Sequence, residues 1–163
     1  MTPSVFESLD ISLHSDRIRE LMLLNQDLQG GGMMLSRTEA DEILTERSRA
    51  LKSRGRIELD IGVTKTLLKR LAVSPFVGRD QLVKTVSALY EVFHHIKNQT
   101  SDHVGDDEVI DAIMIYFEKV CGGSAELLTG KGTERIIENY RDGQPLSDIP
   151  QNTEEESYWH FDE

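Results

Sequence analysis

The segment Tyr90–Ile110, YEVFHHIKNQTSDHVGDDEVI, holds three of the chain's five histidines and a cluster of acids. Imidazole and carboxylate are the usual protein donors for zinc, iron and manganese. Glu91-x-x-His94 has the spacing of one half of a carboxylate-bridged di-iron centre. Such a centre needs two of these motifs and two further glutamates, all projecting inward. The chain has no second Glu-x-x-His. His94, His103, Asp106 and Asp107 are the residues that could form a metal or catalytic cluster here. The plainer reading is a polar helix face followed by a turn. Asp106 would then cap the next helix, and Asp107 and Glu108 would favour its positive end.

The remaining chemistry is thinner. Cys121 follows a helix C-terminus, where the dipole opposes a thiolate, and reads as a small buried apolar residue. Gly130-Lys-Gly-Thr133 lacks the earlier glycine and the hydroxyl directly after the lysine that a phosphate loop needs. No Gly-x-Ser-x-Gly occurs. No cofactor is expected, and the reading leans away from an enzyme.

The elements that must position these residues are helical nearly throughout. Ile18, Leu21, Met22 and Leu28 lie at helical spacing before the break Gly30-Gly-Gly32. Ser36-x-x-Glu39 has the form of a capping box. It opens a helix with Ala40, Ile43, Leu44, Arg47 and Leu51 on one narrow stripe, closed by Gly55. Arg56-Ile-Glu-Leu-Asp60 alternates and predicts a brief extended segment. A third helix, with Val63, Leu67, Leu68 and Leu71, stops before Pro75.

A fourth helix spans about 80–97. On a wheel of ~100° per residue, Leu82, Val86, Leu89, Phe93 and Ile96 form its core face. Glu91 and His95 then face away from the core, and His94 sits on a flank beside Tyr90. A fifth helix, about 106–120, is apolar nearly all round, which predicts a central position. The last runs from Ser124 to Arg141 with a break near Gly130–Gly132. The fold class is therefore all-α: an irregular bundle of five or six helices around a central apolar helix. Its expected divisions are an N-terminal helix and glycine-rich linker over 1–34, a helical core over 35–141 and an acidic tail over 142–163.

At 163 residues the chain is long enough for one domain with a core. It has no membrane-spanning apolar run and no signal-like N-terminus, so a cytoplasmic protein is expected. One cysteine fits a reducing compartment. The net charge of −11 is uneven. Seven acids and no base follow Arg141. Within the body, Arg47, Arg49, Lys52, Arg54, Arg56, Lys65, Lys69 and Arg70 face only Glu58 and Asp60 in the same segment. These bases are candidates for contacting an anionic partner. The acidic whole and the absence of aromatics from the segment disfavour nucleic acid, and a solvated helix face is the plainer account. Tyr158, Trp159 and Phe161, set among acids, are costly to leave wet; they either fold back onto the basic segment or dock on a partner.

Arg47-Ser-Arg-Ala-Leu51, Gly55-Arg-Ile-Glu58, Ser74-Pro-Phe76, Tyr90-Glu-Val-Phe93 with Lys97-Asn98, Asp106-Asp-Glu108, Phe117 and Cys121-x-Gly123 occur in an order and spacing that resembles a family of small bacterial proteins. That family is a domain of unknown function, number sixty-three twenty-three. The resemblance runs from about Leu35 to Tyr140. It implies a cytoplasmic helical protein and brings no activity, cofactor or catalytic residue. The expected role is binding of another macromolecule, most simply a protein. A His/Asp metal site or enzyme is the first alternative, and nucleic-acid binding through 47–70 the second.

Overall fold

A computed structural model describes residues 5–29 and 34–149, with side chains from Leu13 onward. The chain is all-α, and no strand occurs among the described residues. The helices are α1 (Val5–Leu23), α2 (Asn25–Leu28), α3 (Arg37–Arg54), α4 (Gly62–Ala72), α5 (Leu82–Gln99), α6 (Asp106–Ile115), α7 (Ala125–Leu127) and α8 (Thr133–Arg141). No helix among the described residues is long and apolar enough to cross a membrane.

The ends of α3 form as their residues dictate. Ser36 Oγ accepts from the Glu39 amide at 3.1 Å, and Glu39 Oε1 accepts from the Ser36 amide at 2.9 Å. Two amides that the helix itself cannot pair are thereby satisfied. At the other end Gly55 takes φ +65°, a left-handed stop that suits glycine. Ser36→Ala should lower stability by roughly 0.5–2 kcal/mol, read as a shift in the urea midpoint. An unchanged midpoint would mean that the cap contributes nothing.

The element that touches most of the others is α5, which packs on α3, α4, α6 and α8. Leu82, Val86, Leu89, Phe93 and Ile96 are all buried, as their spacing predicts. The segment 106–120, apolar on most sides, is buried along most of its length. Val109, Ile110, Ala112, Ile113, Met114, Tyr116 and Phe117 are all buried, with α6 packed on α4 and α5, while Ile115 stays partly exposed. The same segment is not one α-helix. From Tyr116 to Val120 it widens into a π-turn. There the Cys121 amide donates to the Tyr116 carbonyl at 2.8 Å, a spacing of five residues. Gly123 follows with φ +84°, and a Cβ there would lie 2.6 Å from Phe76 Cβ, so the turn requires glycine. A second π-turn, Leu128–Gly132, stands where the sequence shows a break. Asp106 does not cap α6: Gly105 holds that position, and Asp106 is the first helical residue.

The first part of the expected loose tail is held to the body. Leu146 is buried. Asn139 Nδ2 donates to the carbonyls of Leu146 (3.0 Å) and Asp148 (2.8 Å), and the Tyr116 hydroxyl also donates to Asp148. A buried asparagine beside chain that carries an apolar anchor outweighs the prolines and acids that suggested a loose segment.

Candidate functional site

Arg47 lies on the buried stripe of α3 between Leu44 and Leu51 and is only 3% exposed. A guanidinium in that position demands acceptors and a counter-charge. It finds both in the loop that links α3 to α4. One terminal nitrogen donates to the carbonyls of Glu58 (3.3 Å) and Asp60 (2.9 Å), and Nε lies 3.3 Å from Glu58 Oε1.

Two residues of α5, one turn apart, close the cluster from the other side. The Tyr90 hydroxyl donates to Glu58 Oε1. His94 Nε2 lies 3.4 Å from Glu58 Oε2, although its N–H is not aimed well enough to count as a hydrogen bond. Tyr90 and Phe93 meet the His94 ring edge-on, with centroids 4.4 and 4.9 Å away. His94 is 1% exposed, and Nδ1 has no hydrogen-bond partner among the described residues.

Burial works to raise the Glu58 pKa. The contacts with His94 and Tyr90, and the charges of His94 and Arg47, outweigh it, so the carboxyl is held below the usual range. Burial first, and then the bond to Glu58 and its charge, push the Tyr90 phenol far upward. Tyr90 is therefore a fixed donor, not a base. A cavity of about 10 Å³ beside Arg47, Thr64 and Tyr90 is at the lower limit for a single water, so no substrate enters. The cluster can orient a loop; it is too enclosed for catalysis.

What it orients is the alternation of the loop. Glu58 points in with 15% of its side chain exposed, while Ile57 and Leu59 are 88% and 91% exposed. The middle of the loop is inside-out: Glu58 is turned in while Ile57 and Leu59 face water, and Asp60 is exposed.

The metal candidates do not converge. His94 faces Glu58. His103 Nδ1 pairs with the Tyr140 hydroxyl at 3.2 Å. Asp106 accepts from Lys97 at 2.8 Å, and Asp107 is exposed. Among the described residues no group of three or more His, Cys, Asp or Glu side chains is arranged to hold an ion.

The basic segment also differs from its linear reading. Arg47 is buried rather than presented to a partner. Arg49 pairs with Glu46, Lys65 with Glu20, Lys69 with Asp27 and Arg70 with Asp111. Arg54 donates to His95, whose pKa burial and the Arg54 charge lower. Arg56 bonds to Asn98 and to both oxygens of Asp102. Lys52 is exposed. The local +6 is largely neutralised by acids from α1, α2 and α6 and from the turn after α5. A groove of about 690 Å³ between α3 and α5 is itself acidic, with Asp41, Glu42, Glu46 and Asp80 against Lys84. Tyr158, Trp159 and Phe161, and with them the fold-back of the tail, lie outside the described residues. Cys121 is buried, which pushes its thiol up to about 12.

The quartet Arg47, Glu58, Tyr90 and His94 lies wholly within the part of the chain that matches a family model, residues 20–146, described as a family of unknown function (DUF6323). The chain belongs to that family. No curated protein and no solved structure matches it. The DUF6323 match takes in part of α1 and reaches Leu146, so it includes the anchor that Asn139 holds as well as the helices.

Sequence reasoning missed Glu58 as a buried partner. The pointer was present: an arginine at a core position of α3, followed by only two acids before the next helix.

Proposed function

We propose that this DUF6323 protein is a protein-interaction module whose docking element is the loop 56–60. One observation carries the reading: Ile57 and Leu59 stand almost fully exposed on either side of a glutamate that four buried contacts pin inward. Single exposed apolar residues are ordinary on a protein surface. Two on one side of a fixed five-residue segment form a small apolar edge, which proteins usually blunt with charge. Here Glu58, the charge between them, is turned inward instead. The loop is ordered before any partner arrives, so binding loses little conformational entropy. A polyanion is a poorer fit, since most of the nearby cations already have carboxylate partners.

The test is photo-crosslinking in the native cell, with a benzophenone side chain placed in turn at positions 57, 59 and 53. Ser53 is exposed nearby and serves as the control. Adducts with protein are expected from 57 and 59 and not from 53. Their absence at both loop positions would overturn the reading.

A further inference from the structure

The loop has a second property that names a partner. The carbonyls of Glu58 and Asp60 both turn toward Arg47. Side chains 57, 58 and 59 alternate out, in and out. None of residues 56–60 has a positive φ, although the chain bends at Leu59 and Asp60. This is the period of two of a short strand. Its Arg47 side is occupied. On the other side, the main-chain groups of Ile57 and Leu59 bond to nothing else among the described residues. The segment thus offers a free strand edge and two apolar side chains together, the combination that recognises another extended chain.

Resting on the docking reading above, we propose that the loop's partner is a second copy of this chain, with Arg56–Asp60 paired antiparallel to its own copy about a two-fold axis at Glu58. The sequence Arg-Ile-Glu-Leu-Asp is complementary to itself in that arrangement. Ile57 lies opposite Leu59 of the other copy, and Leu59 opposite Ile57. Arg56 lies opposite Asp60 at both ends, with its guanidinium held by Asp102 and Asn98 of its own body, so the two apolar pairs carry the match. The two Glu58 side chains, which would repel if they shared the interface, are each turned into their own body beside Arg47. An interface that uses the same patch twice closes as a dimer and stops there.

Two cysteine variants test the register, because Ile57 and Leu59 are exposed and their replacement disturbs no core. The native Cys121 is buried and takes no part. In an antiparallel hydrogen-bonded pair, opposite residues have Cα atoms ~5.5 Å apart, within the range of a disulfide. Diagonal neighbours are ~7–8 Å apart, at or beyond its limit. Mixed under mild oxidation, I57C and L59C should therefore give a covalent dimer joining the two variants, with little from either alone. Light scattering of the native chain should show a doubling of mass as concentration rises, and I57S/L59S should stay at the monomer mass. Monomer mass at the highest reachable concentration, with no mixed disulfide, would overturn the inference. So would a disulfide formed best by I57C with itself. If photo-adducts from 57 and 59 then contain a different protein, docking through the loop stands and only self-pairing falls. If there are no adducts at all, both fall.

Discussion

Arg47→Met is expected to destabilise the protein by about 3–5 kcal/mol, the usual result of removing one partner from a buried ion pair. That is a large share of the ~5–15 kcal/mol a domain of this size has. Methionine fills much of the space along the α3 stripe, so the loss would not be chiefly a cavity. It would come from the Glu58 carboxylate left buried without its cation, and from the Glu58 and Asp60 carbonyls left without their donor. The control is Arg49→Ala, which breaks an exposed pair with Glu46 and should cost ~0–1 kcal/mol.

A double variant separates charge from shape. In the Arg47→Met background, Glu58→Gln removes the uncompensated charge and should be neutral or stabilising, whereas alone it should destabilise. If the two losses simply add, the pair is not coupled and the quartet is not one unit. The pH dependence follows from the same geometry. The Glu58 pKa is lowered on folding, so its contribution is complete above the ordinary glutamate pKa of ~4.3. It is lost as the pH falls through the folded value. Glu58→Gln should therefore flatten part of the acid-side fall in stability below pH ~4. Urea melts between neutral pH and the acid limit would read this, and parallel curves for the two proteins would refute it.

The quartet also marks where the sequence stops being readable. The core face of α5, the capping box at Ser36 and the stop at Gly55 are local patterns, with every residue within a few turns of its partner. They appear in the fold as their spacing requires. The loop 56–60 is set by distant partners. Alternation shows that residues 57 and 59 share a side, but hydrophobicity assigns that side to the core. A buried Arg47 reverses the assignment, because leaving its charge unpaired would cost more than exposing Ile57 and Leu59. The reversal depends on Tyr90 and His94 arriving from α5, which no local window contains.

The basic segment fails as a surface for a related reason. A running charge count sees eight cations and two acids. It cannot see Glu20, Asp27, Asp102 and Asp111 brought to those cations by other elements. The wheel likewise left His94 on a flank, when the tyrosine one turn earlier and the loop above it make that flank interior.

Phe117→Ala is the other substitution expected to have a large effect, at about 3–5 kcal/mol. The ring is 1% exposed and belongs to the main core cluster. Its place in the π-turn bears on the size of the loss. The wider turn is closed by the Cys121 amide on Tyr116 and by the Gly123 amide on the Phe117 carbonyl at 2.7 Å. Gly123 in turn packs against Phe76 from the loop before α5. These bonds hold the Phe117 main chain in place, so it cannot slide to fill the space once the ring is gone. Sites that collapse poorly lie at the upper end of the range for such substitutions. Phe117→Leu keeps most of the volume and should cost clearly less than the alanine variant. Urea unfolding of the three proteins decides it. If alanine costs less than ~1 kcal/mol, the turn yields and closes over the cavity. If leucine costs as much as alanine, the loss comes from the shape of the ring rather than from empty space. Ile57→Ala is the contrasting case. That side chain is already in water in the folded monomer, so its removal should leave the urea midpoint of a dilute sample unchanged while weakening whatever binds the loop.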